Sequence, residues 1–501
     1  MEIFVLTIAV SVCQHIVSGS NTVPLSAFKM DWKKYILWFA QTHISFRYPE
    51  LQSLLTLFKI PHRLPPNILE EINKPFLVIE LPGNESALQL VSRSISIRCV
   101  AEHWASASTY HSFHQQLKEY IAINKENPDF KKSCSASFRI TVESFNKRIE
   151  PKTKVDKIET IAYLPFEGDV KLKDPECEYF YIEYNGSDNM NLPPEPEQIF
   201  FGKWLADGSR GIVHDLSLKT RKFIGNTSME PTLSLLMANQ AIVKPGDLVF
   251  DPFVGTGSLL VAAAKFGGYV MGTDIDYLML HAKTKPSRVT QKVRDEDESI
   301  LSNLKQYDCA HRYVDVLVSD FSSSIWHNSI QFDSIITDPP YGIREAREKI
   351  QTKERRPLNP EAGDVVHYPS TSHYQLSTLY ADLLRFAIKH LRIGGRLVCW
   401  IPIYKSDYSD SCIPKSKYLK LIANSEQVLS SIAARRLLTY EKIQEPNTDD
   451  LEIIDNIRDD FRPRFFAEDD TERLKKKMQR EELKVIGKKE ALKRGKIIVE
   501  K

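Results

Sequence analysis

The sequence predicts an α/β fold built on a parallel sheet, and three observations support this. A strand, a glycine turn and a helix follow one another over residues 248–265. Three further apolar strands each end in an aspartate, at Asp274, Asp320 and Asp338. A helical pattern of apolar residues over 376–391 then leads into a fifth strand over 397–401. Strands that alternate with helices in this way are typical of a parallel sheet covered by helices.

The first 29 residues stand apart from the rest of the chain. The apolar run from Ile3 to Val12 resembles the core of a secretory signal, but no Lys or Arg precedes it. The run is also too short to span a membrane. We therefore expect translation to begin at Met30, or the gene model to be extended at this end, rather than a targeting segment.

Residues 30–184 have the pattern of an α+β region. An amphipathic stretch runs from Tyr110 to Ile121, and Phe138, Ile140 and Val142 alternate as in a strand. A polar, proline-rich stretch from Asn185 to Gln198 predicts a loop or linker. We therefore expect a linker at 185–220, between the α+β region and the parallel sheet.

The glycine turn after the first strand of the sheet, from Asp251 to Gly257, predicts a cofactor site. Glycines between a strand and a helix let a ligand approach the backbone closely. This turn lacks the third glycine of a dinucleotide fingerprint, and it lacks the Gly-Lys-Ser/Thr of a phosphate-binding loop. Because Asp251 would repel a pyrophosphate, the turn favours a cofactor that carries a cationic amino group.

The next three strands also end in carboxylates. Asp274 lies nineteen positions after Gly255, close to the spacing of the ribose ligand in nucleoside-binding α/β folds. Asp320 has the acceptor that an adenine amine requires. Because ligands bind at the carboxyl ends of parallel strands, we expect Asp251, Asp274, Asp320 and Asp338 to line one edge of the sheet.

The fourth strand ends in Asp338-Pro339-Pro340-Tyr341, which predicts a site for an amine on a planar ring. Prolines fix φ and carry no N–H, so the turn presents carbonyl oxygens, while Asp338 adds a carboxylate and Tyr341 a flat ring for stacking. Hydrogen bonds from the amine to Asp338 and to the Pro339 carbonyl would draw a conjugated nitrogen toward tetrahedral geometry. Its lone pair could then point at an electrophile, and we assign the catalytic role to these four residues.

These motifs together resemble those of S-adenosylmethionine-dependent amino-methyltransferases over about residues 221–405. The resemblance implies a class-I Rossmann-like sheet with S-adenosyl-L-methionine as its cofactor. The implied catalytic motif is the turn from Asp338 to Tyr341. The implied cofactor-binding residues are Asn226, Thr227 and Ser228 before the sheet, Asp251, Phe253, Gly255 and Gly257 in the glycine turn, Asp274 for the ribose and Asp320 for the adenine.

A longer resemblance, over about residues 31–450, narrows the substrate. The runs at 164–168, 201–208, 223–229 and 337–345 resemble the eukaryotic catalytic subunit that methylates N2 of the guanosine at position ten of transfer RNA. It implies an α+β RNA-binding region over 30–184, with a ferredoxin-like segment and a THUMP domain. The methyltransferase domain would then span 221–450. It also implies two partners, tRNA and a small zinc-binding activator subunit.

Two other functions remain open from the sequence. The same Asp-Pro-Pro-Tyr turn could methylate adenine N6 in DNA or RNA. Alternatively, the chain could be a non-catalytic RNA-binding protein on a methyltransferase fold. The long N-terminal half argues against the first alternative. The intact aspartates and glycines of the cofactor turn argue against the second.

The distribution of charge along the chain adds two expectations. Net charge is +2, but residues 471–501 carry 12 Lys/Arg against 5 Glu, so a basic tail over 451–501 is a candidate phosphate-binding arm. The basic stretch from Arg344 to Arg356 is placed to contact the substrate backbone.

The seven cysteines are scattered without a Cys-x-x-Cys pair, which favours reduced thiols and no zinc site in this chain. It also favours a cytoplasmic protein without membrane attachment.

Overall fold

The computed structural model describes residues 32–188, 190–343, 345–351, 370–447, 451–454 and 456–466. The first six strands are β1 (Trp32–Phe39), β2 (Phe76–Pro82), β3 (Ile97–Ala107), β4 (Phe138–Phe145), β5 (Cys177–Tyr184) and β6 (Gln198–Asp207). They are followed by β7 (Leu248–Asp251), β8 (Tyr269–Asp274), β9 (Tyr313–Val318), β10 (Phe332–Thr337), β11 (Glu348–Ile350), β12 (Thr371–His373), β13 (Leu391–Tyr404), β14 (Leu419–Val428) and β15 (Ala433–Lys442).

The α-helices lie between these strands. They are α1 (Arg47–Leu57), α2 (Ile68–Glu71), α3 (Gly83–Val91), α4 (Tyr110–Asn124), α5 (Pro128–Ser135), α6 (Pro151–Thr160), α7 (Gly211–Asp215), α8 (Pro231–Gln240), α9 (Ser258–Lys265), α10 (Tyr277–Leu280), α11 (Ile300–Gln306) and α12 (Leu376–His390). Short 3-10 helices span Ile44–Phe46, Ala310–Arg312 and Asp410–Cys412. Within the described ranges, no helix is both long and apolar enough to cross a membrane.

The N-terminal sheet has the strand order β2-β1-β3-β6-β5-β4. Its pairs are antiparallel except for β4 and β5, which are parallel. The expectation of a linker at 185–220 is therefore wrong for residues 198–207, because β6 pairs with β3 on one side and β5 on the other. The apolar residues Ile199, Phe200 and Phe201 of β6 are buried in the sheet, whereas the stretch before β6 is a loop, as the prolines indicate.

The C-terminal sheet has the order β14-β15-β13-β10-β7-β8-β9. The strands from β13 to β9 are parallel, and β15 is antiparallel to both of its neighbours. Val249 and Phe250 are buried in two cores on opposite faces of β7, as expected for a sheet covered on both sides. The predicted parallel sheet is confirmed, and the four strands with terminal aspartates lie side by side.

Helix α12 covers one face of this sheet, as its apolar periodicity predicts. Leu379, Tyr380, Leu383 and Leu384 are buried against β10 and β13. The chain beyond β15 returns to the same core, since Leu451 and Phe461 are buried in it. The start of the expected tail at 451–501 is therefore packed against the domain, and residues 467–501 lie outside the described residues.

Candidate active site

The four strand-end aspartates meet at one edge of the C-terminal sheet. Asp338 follows β10, Asp251 ends β7, Asp274 ends β8 and Asp320 follows β9, and these strands are adjacent and parallel in that order. The arrangement expected from the sequence is therefore present. Ligands of α/β proteins bind at such an edge.

The glycine turn wraps over the ends of β7 and β8. Gly255 and Gly257 have φ values of 52° and 75°, in the left-handed region that favours glycine. The Gly255 N–H donates to Asp274 Oδ2 at 2.8 Å, and the Val254 N–H donates to the Thr273 carbonyl at 3.0 Å. These bonds fix the turn against β8, and helix α9 begins directly after it.

Asp251 is a buried carboxylate with polar neighbours, and no cation among the described residues lies beside it. Its side chain is 1% exposed, and Oδ1 accepts hydrogen bonds from the Thr337 hydroxyl at 2.7 Å and from the Phe253 N–H at 3.0 Å. Burial raises the pKa of Asp251 to about 7, and these hydrogen bonds oppose the rise. A cationic group placed beside Asp251 would relieve that desolvation.

Asp274 is held by the backbone on both carboxylate oxygens. Oδ2 accepts from Gly255 and Oδ1 accepts from the Asp276 N–H at 2.9 Å. Burial raises the pKa of Asp274 to about 6, and the two backbone bonds lower it in part. Each oxygen keeps a second lone pair, which suits hydroxyl donors such as those of a ribose.

Asp320 is also engaged by the backbone. Oδ1 accepts from the Ser322 N–H at 2.9 Å, and Oδ2 accepts from the Ile350 N–H at 2.7 Å. Asp320 therefore anchors the short strand β11 at this edge of the sheet. Sequence reasoning missed that contact because Asp320 and Ile350 are 30 residues apart in the chain.

The segment before helix α8 closes another side of the site. The Ser228 hydroxyl is 2.6 Å from the Thr256 hydroxyl and accepts from the Gly225 N–H at 2.8 Å. The Thr227 hydroxyl donates to the Glu345 carboxylate, while Asn226 is exposed. The structure thus brings this segment to the glycine turn.

Phe253 provides an apolar wall in the same region. Its ring lies 5.1 Å from the Phe321 ring, between centroids, and packs against the core that contains Phe250. A flat apolar wall at the end of β7 suits a planar ligand ring.

The turn from Asp338 to Tyr341 contains an internal hydrogen bond. The Tyr341 hydroxyl donates to Asp338 Oδ1, Pro339 is buried, and Pro340 and Tyr341 are half-buried. Among the described residues, no donor bonds the Pro339 carbonyl oxygen. Asp338 and Pro339 therefore both present acceptor oxygens at this turn, whereas the hydroxyl contact of Tyr341 was not predicted from the sequence.

Arg435 of β15 completes this corner. Its Nη1 lies 2.9 Å from Asp338 Oδ2, although 97 residues separate the two in the chain. Burial raises the pKa of Asp338, and the Arg435 charge opposes that rise. No local sequence pattern points to Arg435, because its place depends on β15 pairing with β13.

The basic stretch after the motif differs from its prediction. Arg347 is 3% exposed and lies beneath Gly342, where a Cβ atom would meet its Nε at 2.7 Å. The expected contact of Arg347 with a substrate backbone is therefore wrong. Arg344 and residues 352–369 lie outside the described residues. Within the described ranges, no cluster of His, Cys, Asp and Glu side chains could hold a metal ion.

Comparison with known families divides the chain in the same way as the two sheets. Residues 33–210 match a family described as the Tmrp11 THUMP N-terminal domain. Residues 219–363 match a family described as the RMKL-like methyltransferase domain. The first match includes β6 and the second includes the strand ends at Asp251, Asp274, Asp320 and Asp338.

Relatives match over nearly the full chain. The tRNA (guanine(10)-N(2))-methyltransferase TRMT11 of Xenopus laevis is 44% identical over 418 residues, which cover 83% of this chain and 85% of that protein. Its counterpart in Gallus gallus is 42% identical over 421 residues, which cover 84% and 90%. Among solved structures, TrmN from Thermus thermophilus is 16% identical and covers 82% of this chain and 100% of its own, with a TM-score of only 0.38.

Proposed function

This chain belongs to the family of tRNA (guanine(10)-N(2))-methyltransferases, and we propose that its sheet edge transfers a methyl group from S-adenosylmethionine to N2 of guanosine 10 in tRNA. The observation that carries this function is the row of four strand-end aspartates that finishes in the Asp338–Tyr341 turn. Three of these carboxylates suit the cofactor, and the fourth suits an exocyclic amine.

The residues present fit S-adenosylmethionine. Asp251 is a buried carboxylate that has no cation beside it in the part of the chain that the structure describes, and the cofactor carries an ammonium group that would supply one. Asp274 would accept from the ribose hydroxyls and Asp320 from the adenine amine. Gly255 and Gly257 leave room for close backbone approach, and Phe253 would line the adenine. Asn226, Thr227 and Ser228 would border the methionine end.

The cofactor supplies an electrophilic methyl group on a sulfonium. The chain's task is to hold the guanine amine in line with it. Asp338 and the Pro339 carbonyl would each accept one N–H, which removes the amine from conjugation with the ring and leaves its lone pair free to attack. As the N–CH₃ bond forms and the S–CH₃ bond breaks, the nitrogen becomes cationic and loses one proton to Asp338 or to water.

Tyr341 would help to hold the base. Guanine must leave its stack to reach this corner, and a half-buried aromatic ring offers a stacking surface for it. Since the Tyr341 hydroxyl is bonded to Asp338, the ring is fixed in place relative to the acceptor. Pro340 stiffens the turn between them.

We place tRNA binding on the N-terminal region. A cleft of about 1010 Å³ lies there, between the sheet and helices α4 and α5. Its lining includes Lys33, Lys34, Lys132, Lys203 and the rings of Trp32 and Tyr120, together with the carboxylates Glu102, Glu119, Asp129 and Glu176. Lysines that contact phosphates and rings that stack on bases are common in RNA-binding sites.

Lys34 and Lys132 are exposed at this cleft, so they are the side chains to test. The double variant Lys34→Glu/Lys132→Glu should weaken tRNA affinity and reduce its dependence on salt. Lys420→Glu, an exposed lysine of β14, is the matched control. Equal affinity for both variants would argue against RNA binding at this cleft.

The resemblance also implies a small zinc-binding activator subunit, and the edge strand β9 supports a partner at one end of the sheet. Among the described residues β9 pairs only with β8, and it leaves Val314, Leu317 and Val318 exposed by 49%, 37% and 45%. An unpaired edge with apolar side chains is a surface that a partner can cover. Val314→Lys/Val318→Lys should abolish co-purification of that subunit, whereas Lys420→Glu should not.

The decisive experiment is methyl transfer by the purified chain, with and without the activator subunit. Transcripts of one tRNA with guanosine or adenosine at position 10 would be compared by nucleoside mass spectrometry. We expect N2-methylguanosine from the guanosine transcript only. Methyladenosine from the second transcript would favour the adenine-N6 alternative. Absence of product and of cofactor binding in both preparations would favour a non-catalytic RNA-binding protein. We place this activity in the cytoplasm, which imaging of a tagged chain would test.

A further inference from the structure

The Arg435 side chain contacts three groups besides the Asp338 carboxylate. Its Nε donates to Gln427 Oε1 at 2.7 Å, and Gln427 lies directly opposite it on β14. Its guanidinium carbon lies 4.0 Å from the centroid of the Trp400 ring on β13. Nη1 is 3.4 Å from the Tyr341 hydroxyl as well as 2.9 Å from Asp338 Oδ2. Contacts on three sides fix the direction of an otherwise flexible side chain.

The carboxylate of Asp338 is held on both oxygens as a result. Tyr341 donates to Oδ1 and Arg435 donates to Oδ2. Each oxygen keeps a second lone pair, so an incoming N–H can still be accepted. The plane of the carboxylate, and hence the direction in which it meets the amine, is set by these two donors.

Other acidic groups lie near Asp338, so the positive charge of Arg435 is important there. Titratable groups face Asp338 from every neighbouring element: Tyr341, Glu345, Asp251 of β7, Tyr380 of α12, Cys399 of β13 and Arg435 of β15. Burial raises the pKa values of Tyr380 and Cys399, which leaves both neutral, while Asp251 and Glu345 would add negative charge. Arg435 supplies the opposing positive charge.

We propose that Arg435 is a positioning residue for methyl transfer, which holds the Asp338 carboxylate ionised and aimed at the substrate amine. The inference rests on the proposed function, in which Asp338 accepts the N–H of guanine N2. Arg435 reaches Asp338 from a different strand and needs no contact with the substrate. Its loss would leave a half-buried carboxylate without its cation, and such a group takes up a proton more readily.

The test compares Arg435→Met with Arg435→Lys and with Arg436→Met. Arg436 is the matched control, because it carries the same charge on the same strand but contacts Asn424 and the Tyr408 ring instead. We expect Arg435→Met to lower kcat at neutral pH about 100-fold, the size of the loss when a reacting group is misplaced. Cofactor affinity should stay within about twofold of wild type, since the cofactor ligands lie on other strands.

The pH profile separates positioning from a merely structural role. Without Arg435 the carboxyl pKa rises further, so the acid limb of kcat should move to higher pH in Arg435→Met. Arg435→Lys keeps the positive charge and should reverse part of this shift. Arg436→Met should show the acid limb of the wild type. A limb that does not move, with activity lowered equally at all pH values, would overturn the inference.

Two measurements keep this result distinct from failure of the proposed function. Wild type is assayed in parallel, and absence of N2-methylguanosine from wild type would overturn the function itself. The carboxyl titration of Asp338 is followed separately by ¹³C NMR of labelled aspartate, which needs no activity. A midpoint that is the same in wild type, Arg435→Lys and Arg435→Met would overturn the role of Arg435, and a higher midpoint in Arg435→Met would support it.

Discussion

Glu50 in the N-terminal region accepts a hydrogen bond of 2.7 Å from the side-chain amide of Asn239 in the C-terminal unit. Both residues are completely buried. Glu50 also accepts from the Ile95 and Ser96 N–H groups at 2.8 Å each, and the Arg93 Nε donates to Asn239 Oδ1 at 2.8 Å. The N-terminal region is thus joined to the C-terminal unit by a buried polar network, which favours one fixed arrangement of the two.

Removal of Glu50 should destabilise the protein strongly. Glu50→Ala leaves several buried donors without an acceptor, so we expect the free energy of unfolding to fall by about 3 kcal/mol or more. Asn239→Ala removes three buried hydrogen bonds, one with Glu50 and two with Arg93, and should cost less because fewer donors lose their acceptor. Urea unfolding measures both, with the exposed Glu85→Ala as control. A loss below about 0.5 kcal/mol for Glu50→Ala, the range of surface substitutions, would contradict the network.

Cofactor affinity should depend on pH through Asp251. Its pKa is raised to about 7, so it is largely protonated at pH 6 and ionised at pH 8. A cationic amino group binds the ionised form of Asp251. At low pH the protonated carboxyl must therefore lose its proton before the cofactor binds. We therefore expect affinity for S-adenosylmethionine to be about tenfold weaker at pH 6 than at pH 8.

Calorimetry in buffers of different ionisation enthalpy would measure both the affinity and the proton released on binding. In Asp251→Asn the pH dependence over this range should be greatly reduced. Binding at pH 8 should be weaker by about 2 kcal/mol, the worth of a hydrogen bond to a charged group. An unchanged pH dependence in Asp251→Asn would show that another group controls binding.

The two glycines of the turn should respond differently to alanine. Both have positive φ, but a Cβ at Gly255 would meet open space, whereas one at Gly257 would lie 2.7 Å from Ile300 Cγ2. We expect a stability loss of about 1 kcal/mol for Gly255→Ala from backbone strain alone. Gly257→Ala adds a clash and should lose about 3 kcal/mol. Thermal unfolding compares them, and equal losses would mean that Ile300 moves aside freely.

Replacement of Asp338 should stop the chemistry and leave the cofactor bound. Asp338→Ala removes the carboxylate acceptor at the amine, and we expect methyl transfer to fall about 1000-fold or more. Affinity for S-adenosylmethionine should change little, because Asp251 and Asp274 are untouched. Single-turnover transfer and equilibrium binding measure the two effects, and full activity in this variant would refute the role of Asp338.

Local sequence patterns were sufficient for the parallel half of the sheet. Three of the strands there are short apolar runs that end in Asp251 or Asp274 or just before Asp338, and the glycine turn lies between a strand and a helix in the chain itself. Parallel strands align their carboxyl ends, so the row of aspartates follows from strand order. The linker prediction was wrong because β6 forms its sheet contacts with residues far from it in sequence.

Local patterns were enough to predict the aspartates at the strand ends, Asp251, Asp274, Asp320 and Asp338, and the glycine turn between the first two. What surrounds these carboxylates follows from contacts between distant parts of the chain. Arg435 reaches Asp338 because β15 pairs with β13, and Glu50 meets Asn239 because α1 packs against α8. Local patterns report periodicity and turn chemistry within a few residues. The charge and orientation of a buried carboxylate depend on partners brought close by strand and helix packing, and no local pattern records them.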